Sequence, residues 1–287
     1  MNQTERDLII DSSHFSYTIN ALRKFFLDKG YVEVHTQNRL SILAACEDPS
    51  TIQTYNYANN LYPLPQTGQM WLEYELLTNP EPPGYFCVST SYRYEPNPIP
   101  GRHCIIFPMF EFEMKGDMKA LEEMEKELLT YLGYNSENIH NKNYVDVANY
   151  YGTQDITHEY EQKLYKDNGP VTFLKNFPEY TSPFWNMSRN SETQTANKID
   201  VILSGMETIG SAERSCDVED MKSRFSTISG GEYAQILYDK FGRERVDGEM
   251  DEFLKHNFIV RSGGGIGVTR LISSLLKEGL MYYRQSL

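Results

Sequence analysis

Between Tyr92 and Glu113 the chain gathers two arginines, a histidine and three carboxylates around one turn. The stretch reads Tyr-Arg-Tyr-Glu, a proline-rich segment ending Gly-Arg-His, and then Ile-Ile-Phe-Pro-Met-Phe-Glu-Phe-Glu. Arg93 and Glu95 are two apart, and Phe107, Glu111 and Glu113 share a parity, so in extended limbs each set projects from one face. The segment Pro96-Asn97-Pro98-Ile99-Pro100-Gly101 stops strands and stiffens a loop, delivering Arg102 and His103 at the base of the second limb. Cations beside paired acids suit a nucleoside triphosphate with magnesium. Taken alone, the same residues also describe an exposed hairpin with surface ion pairs.

Three other places carry residues of the same kind. Gln69 and Glu73 are four apart, so if Met70 to Leu77 is helical they share a face on which an amide and a carboxylate could hold an amino acid. An ordinary solvated helix face fits them equally well. Lys198 to Leu203 reads as a short strand running into Ser204-Gly205-Met206-Glu207 and on to Arg214. Asp200 and Glu207 differ by an odd number, so a bulge at Gly205 is needed to bring both to one magnesium ion. Near the end, Phe258-Ile259-Val260 reads as a strand, and Gly263-Gly264-Gly265-Ile266-Gly267 as a glycine-rich turn opening a helix with Arg270 in its first turn. Tight helix packing explains these glycines as well as a phosphate does. They match neither Gly-x-x-x-x-Gly-Lys-Ser/Thr nor Gly-x-Gly-x-x-Gly, which excludes a P-loop or Rossmann reading.

The elements that must position these groups follow from periodicity. Phe15, Ile19, Leu22 and Phe26 recur at helical spacing, Gly30 ends the pattern, and Tyr31 to Val34 reads as a strand. Ser41 to Asn60 is polar and reads as a mobile loop. Asp117 caps a helix with apolar Leu121, Met124, Leu128 and Leu132, ending at Gly133. Val171 to Phe177 is a strand closed by Pro178, and Val268, Leu271, Ile272, Leu275 and Leu276 form a helical stripe. Tyr134 to Tyr151 has no clear period.

A chain of 287 residues, 40% hydrophobic, can bury a large core, and one domain over residues 1–287 is the simplest organisation. The formal charge of −13, from 27 basic and 40 acidic residues, disfavours non-specific attraction to phosphate backbones. Cys46, Cys87, Cys104 and Cys216 show no Cys-x-x-Cys spacing, and the first residues lack a signal-peptide pattern, which points to the cytoplasm. No apolar run reaches membrane-spanning length, and the six histidines form no metal motif.

Taken together, these pieces resemble the catalytic core of class II aminoacyl-tRNA synthetases, in the aspartate/asparagine branch with its ammonia-dependent asparagine synthetase. Arg93, Glu95, Arg102, His103, Phe107, Glu111 and Glu113 resemble motif 2 of that family. Gly263 to Leu271 resembles motif 3, with a Gly-Gly-Gly-Ile-Gly spelling nearer the asparagine synthetase. Ile19 to Thr36 resembles the dimer-forming motif 1, with Gln37 where the family has proline. Ala45-Cys46-Glu47, Thr67-Gly68-Gln69 with Glu73, Tyr151-Gly152 with Glu159 and Glu161, Phe177-Pro178 with Phe184-Trp185, and Gly205 to Arg214 all look like asparaginyl-type sequence.

The resemblance implies an α+β fold, a class II synthetase-type antiparallel sheet of six or seven strands flanked by helices, dimerising through motif 1. It implies ATP and Mg2+, with Arg93 and Arg270 catalytic. Arg93 would bind the α-phosphate and the attacked carboxylate, and Arg102 and Arg270 the outer phosphates. Glu95, His103 and Gly267 would complete the ATP site, and Phe107 would stack under adenine with Arg270 above it. Asp200 and Glu207 would hold the metal. Glu47 and Gln69 would face the ammonium of the amino acid with Glu73 beside them, and Arg214 would clamp a carboxylate or side-chain oxygen. Leu72 stands where aspartate-specific enzymes resemble one another in having lysine. Ile106 and Pro108 replace more polar residues beside the adenine, and Thr269 the usual acid before Arg270.

Motif 1 begins so near residue 1 that no anticodon-reading β-barrel is expected before it, and with the acidic charge this disfavours tRNA as a partner. The favoured expectation is a ligase that adenylates aspartate or a similar amino acid and passes the acyl group to ammonia or a small amine. Alternatives are transfer to tRNA, a carrier protein or a metabolite, and a non-catalytic paralogue that binds an amino acid or nucleotide.

Overall fold

A computed structural model describes residues 10–42, 49–96, 98–99 and 102–281 of the chain. Asp11 accepts from the backbone N–H groups of Ser13 and His14 and starts helix α1, Ser12–Asp28, whose Ile19, Leu22 and Phe26 are buried. The chain then lays down the two-residue strand β1, Val32–Glu33, and a hairpin of β2, Thr54–Tyr57, and β3, Asn60–Pro63. That hairpin falls only in part inside the segment Ser41 to Asn60 expected to be a loop: its first strand and turn lie within it, and its second strand runs on past it. Its turn residues Ala58 and Asn59 both take positive φ, a two-residue geometry that polar composition does not announce.

Helix α2, Gln69–Thr78, leads into the hairpin of β4, Gly84–Tyr92, and β5, Ile106–Lys115. Regular pairing stops at Tyr92↔Ile106, so Arg93 and Glu95 lie just beyond the strand rather than on a limb of it. Asp117 accepts from the Ala120 N–H at 3.0 Å to cap α3, Met118–Tyr131. The stretch without a clear period holds β6, Ile139–Asn143, and α4, Tyr144–Tyr151. Then come α5, His158–Asn168, β7, Val171–Pro178, β8, Arg189–Asn190, β9, Thr195–Leu203, and β10, Met206–Glu213. Helices α6, Val218–Thr227, α7, Glu232–Phe241, and α8, Arg243–Leu254, precede β11, Arg261–Gly267, and α9, Val268–Lys277.

Among the described residues, nine strands join one sheet in the order β1-β4-β5-β11-β10-β9-β7-β6, with β8 on β9. The middle is antiparallel, as expected. The outer pairs β1/β4 and β6/β7 are parallel, and these short edge strands raise the count above six or seven. Pro108 fits in β5 because pairing with β11 reaches only Met109, leaving its other side without a ladder to complete.

The glycine-rich run is not a turn. Gly263 to Gly267 are residues of β11, a central strand, and Phe258 to Val260 lie outside any strand. Close approach does explain the glycines, but to protein: a Cβ at Gly264 would lie 2.5 Å from the Ser211 Cβ and 2.9 Å from the Gly210 carbonyl, and one at Gly263 would overlap the Glu113 carboxylate.

The two sheet faces differ. Phe110 and Phe112 of β5, Val201 of β9, Ile209 of β10 and Ile266 of β11 point to the layer of α1, α3 and α9, forming one core with Leu22, Phe26, Leu121, Leu128, Leu271 and Leu275. On the opposite face Trp71, Trp185, Phe225, Tyr233, Leu237 and Phe253 make a second core at one end, and the rest is left as a cleft. Among the described residues no helix is long and apolar enough to cross a membrane.

Glu125 is buried beneath β10 on the helical face, with Ser211 as its polar neighbour. The Ser211 hydroxyl also donates to the Ile199 carbonyl at 3.1 Å. Burial pushes the Glu125 carboxyl up to about 8. A raised acid contributes stability that is complete below its unfolded value, ~4.3, and is lost as pH climbs through about 8. Urea unfolding at pH 5 and pH 9 should therefore show a fall of a few kcal/mol at the higher pH that shrinks in Glu125→Gln. An identical pH dependence in the two proteins would refute it.

Candidate active site

The cleft consists of two adjoining cavities that share Arg93, Met109, Glu207, Gly210 and Gly265. The first, about 240 Å3, is also lined by Glu95, Arg102, His103, Phe107, Gly267 and Arg270. Arg93, Glu95, Arg102, His103, Phe107, Gly267 and Arg270 thus line one space, whereas Glu111, Glu113 and Asp200 do not line it. Phe107 reaches it by the odd-residue face of β5, and Gly267 and Arg270 by the junction of β11 with α9. Asn97, Pro100 and Gly101 of the connecting turn lie outside the described residues. The His103 and Arg102 N–H groups donate to the Ile99 carbonyl at 2.9 and 3.1 Å, which folds the turn back toward the cavity.

Two of the cations are already engaged. Arg102 makes a bidentate pair with Glu161 of α5, at 2.9 and 2.7 Å, and Glu161 also accepts the Glu207 N–H at 2.8 Å. Arg270 donates to the Glu207 carbonyl at 2.7 Å, with its guanidinium 3.7 Å from the Glu207 carboxylate. Desolvation alone would raise the Glu207 carboxyl, but Arg270, then Lys198, Arg93 and Arg102, outweigh it and hold the group below its usual range. Desolvation, with Arg270 and Arg102 adding to it against Glu95, lowers the His103 imidazole, which favours its neutral form.

Asp200 and Glu207 do converge, although the backbone manages it differently from the expectation. Ser204 and Gly205, both at positive φ, form a tight turn that reverses the chain between β9 and β10. The bulge falls between Glu207 and Ile209 instead. A Cβ at Gly210 would stand 3.3 Å from one Glu207 oxygen and 3.7 Å from one Asp200 oxygen, so the missing side chain leaves a cradle between two carboxylates. Two hard oxygen donors beside a phosphate-sized cavity are the donor set that magnesium takes, the remaining positions going to phosphate and water.

The second cavity, about 280 Å3, is lined by Gln66, Thr67, Gln69, Met70, Glu111, Phe184, Asn186, Lys198 and Arg214. Glu111 and Glu113, read from spacing as acids for a nucleotide, are spent on structure. Glu111 accepts the Gly68 N–H at 2.9 Å and the hydroxyls of Thr67 and Ser89, placing a negative charge at the N-terminus of α2. That contact aims Gln69, which donates to the Phe112 carbonyl at 2.8 Å and to Glu113 at 2.5 Å. Burial raises the Glu113 carboxyl even against the pull of Arg214, whose guanidinium lies 3.3 Å away.

Glu73 does not face the cavity. It is completely buried, pairing with Arg261 at 2.6 and 2.9 Å and accepting from Asn186 at 2.5 Å, with Arg214 at 3.7 Å. Helical spacing put Glu73 with Gln69 correctly, but the far end of that face turns into protein rather than solvent. Glu47 lies outside the described residues. Arg261 and Lys198 were not expected. Lys198 was legible in the sequence, since in a strand it shares a face with Asp200, whereas nothing local marks Arg261.

A mostly antiparallel sheet flanked by helices, with this cleft on one face, is the architecture of a class II synthetase core. The family model for class II tRNA synthetases (D, K and N) matches residues 10–280, and the chain belongs to that family. It is similar in fold to asparaginyl-tRNA synthetase from Pyrococcus horikoshii complexed with asparaginyl-adenylate, with TM-score 0.75, 19% identity and 92% of this chain covered. The Entamoeba histolytica asparaginyl-tRNA synthetase, also complexed with asparaginyl-adenylate, gives 0.73, 18% and 99%. A putative aspartyl-tRNA synthetase from Leishmania major gives 0.71, 17% and 92%. The chain spans 64%, 68% and 62% of the lengths of these three proteins. No curated protein matches it.

The buried pair generates a stability test. Removing one partner of a buried ion pair strands the other charge at a cost of roughly 3–5 kcal/mol, whereas removing both can be nearly neutral. Glu73→Met should lower unfolding stability by about that much, and Glu73→Met with Arg261→Met by distinctly less. Chemical denaturation decides; a single variant as stable as the native chain would mean that the pair contributes nothing.

Proposed function

We propose that this chain is an ATP-dependent ligase that activates an amino acid as its acyl-adenylate, releasing pyrophosphate. The observation that carries the reading is Arg93, which lies on the seam of the two cavities, where a carboxylate from one side would meet an α-phosphate from the other. The carboxylate oxygen would attack the α-phosphorus as the bond to the bridging oxygen breaks and pyrophosphate leaves. Charge builds on the equatorial oxygens, and Arg93 is placed to neutralise it. Arg102, His103 and Arg270 would receive the outer phosphates, and Phe107 and Arg270 the purine. Asp200 and Glu207 would hold Mg2+, which when bound supplies charge neutralisation to the phosphates. Gln69 and Arg214 would take the amino acid, with Glu47 at its ammonium end. The adenylate named in the descriptions of two similar structures supports the same chemistry.

For the second half-reaction we favour ammonia or a small amine, whose nitrogen attacks the acyl carbon and expels AMP. The formal charge of −13 gives a polyanionic acceptor such as tRNA no general attraction. We infer an aspartate-type substrate, as in an asparagine synthetase, and a homodimer through α1 and β1, where Tyr17, Leu27 and Val32 are exposed. The free thiols of Cys87, Cys104 and Cys216 fit a cytoplasmic setting. A binder without catalysis would have no use for so complete a set of phosphate-suited cations.

Amino-acid-dependent ATP–pyrophosphate exchange tests the first half-reaction. Arg93→Ala should reduce it by about a hundredfold or more; exchange near the native rate would overturn the role of Arg93. Asparagine formed with AMP only when ammonia is present supports the favoured acceptor, whereas acid-precipitable aminoacyl-tRNA would replace it with tRNA.

A further inference from the structure

Lys198 reaches the second cavity, and no step above uses it. Its placement is built by the fold. Along β9, Ile199 and Val201 enter the helical-face core, so Lys198 and Asp200 project to the cleft. Lys198 stands opposite Ala212, whose small side chain leaves room, and Arg214 lies two residues further on the same face. Diagonal neighbours of this kind lie ~7–8 Å apart at Cα, within reach of long side chains. Asn176, at φ 62°, makes the bulge in β7 that resets the register, and the Lys198 ammonium sits 4.5 Å from the centre of the Phe177 ring that follows it. The side chain is 14% exposed, and its ammonium is 3.5 Å from Asp200.

The neighbouring charges bear on what this cation can do. Glu111 is occupied at the start of α2, and Arg214 is shared between Glu113 and Glu73. A neutral amide side chain could be held by Gln69 and Arg214 alone. A second carboxylate on the ligand would need a further full charge, since an unpaired anion in a cavity is costly. An ammonium has three donors and turns about a four-carbon stem, so Lys198 can serve Asp200 and a substrate carboxylate together. Leu72, which stands where aspartate-specific enzymes resemble one another in having lysine, is completely buried among Leu76, Tyr85 and Cys87. The lysine that lines the second cavity is Lys198, on β9 rather than α2.

We propose that Lys198 is a specificity residue which, with Arg214, receives the second carboxylate of a dicarboxylic amino acid. The inference rests on the second cavity being the amino-acid site. Its test combines calorimetric binding of L-aspartate and L-asparagine with pyrophosphate exchange, in the native chain, Lys198→Met and Lys198→Arg. The native chain should prefer aspartate. Lys198→Met should lose about tenfold or more in aspartate affinity and exchange efficiency, with asparagine and the KM for ATP changed less than about threefold, and Lys198→Arg should keep the preference. Equal loss for both amino acids, a changed KM for ATP with the preference intact, or a native chain that binds neither would overturn the proposal. If aspartate binds in a Lys198-dependent way but no amino acid drives exchange, the adenylation reading falls and this assignment stands. If exchange proceeds with the same preference in Lys198→Met, the reverse holds.

Discussion

Arg261 and Arg214 reach Glu73 and Glu113 across the middle of the sheet, and the shape of the cleft depends on that buried set of charges. Arg261 is completely buried, held by Glu73 and by the carbonyls of Ser215 and Ile259. It therefore joins α2, β11 and the end of β10 through one side chain. Glu73 on α2 is then fixed, which fixes the roll of the helix and so the direction of Gln69 one turn earlier. Arg214 is held less tightly, at 3.3 Å from Glu113 and 3.7 Å from Glu73. Of the two arginines, Arg261, with contacts of 2.6 and 2.9 Å to Glu73, is the more firmly held.

This network needs a strand that carries no side chain on its cleft face beyond Arg261. Gly263 leaves the space that Glu113 and Gln69 occupy, and Gly265 gives way to Met109. On the other face Gly264 lets β10 come close, while Ile266 anchors the strand in the helical core. The conformational cost of glycine in a strand is thereby offset by backbone proximity that no larger residue permits. The strand then passes directly into α9, so the Gly267–Arg270 junction inherits the rigidity of the sheet centre.

How far the sequence reveals this depends on the range of the interactions. Parity along β5 and β9 and helical spacing in α1, α3 and α9 are local, and they place Phe107, Asp200 and the core leucines on the correct faces. The glycine run misleads because glycine favours turns by local rules, and only the neighbours Ser211 and Glu113 reveal it as a strand. Glu73 misleads for the same reason, since its partner is 188 residues away. The turn at Ser204-Gly205 shows a third limit. A carboxylate pair can be inferred from Asp200 and Glu207, but whether a bulge or a reversal of direction brings them together depends on where β9 finds its partner.

The same distinction between local and global applies to charge. A chain with formal charge −13 nevertheless concentrates Arg93, Arg102, Lys198, Arg214 and Arg270 around two adjoining cavities. In a cleft walled by low-dielectric protein such a cluster is felt mainly by what enters, because screening over about 8–10 Å hides it from distant solutes. Net charge and local charge therefore differ in this chain: guanidinium and ammonium groups gather with Glu95, Glu207 and Glu111 in one cleft, a grouping that the overall excess of acids conceals.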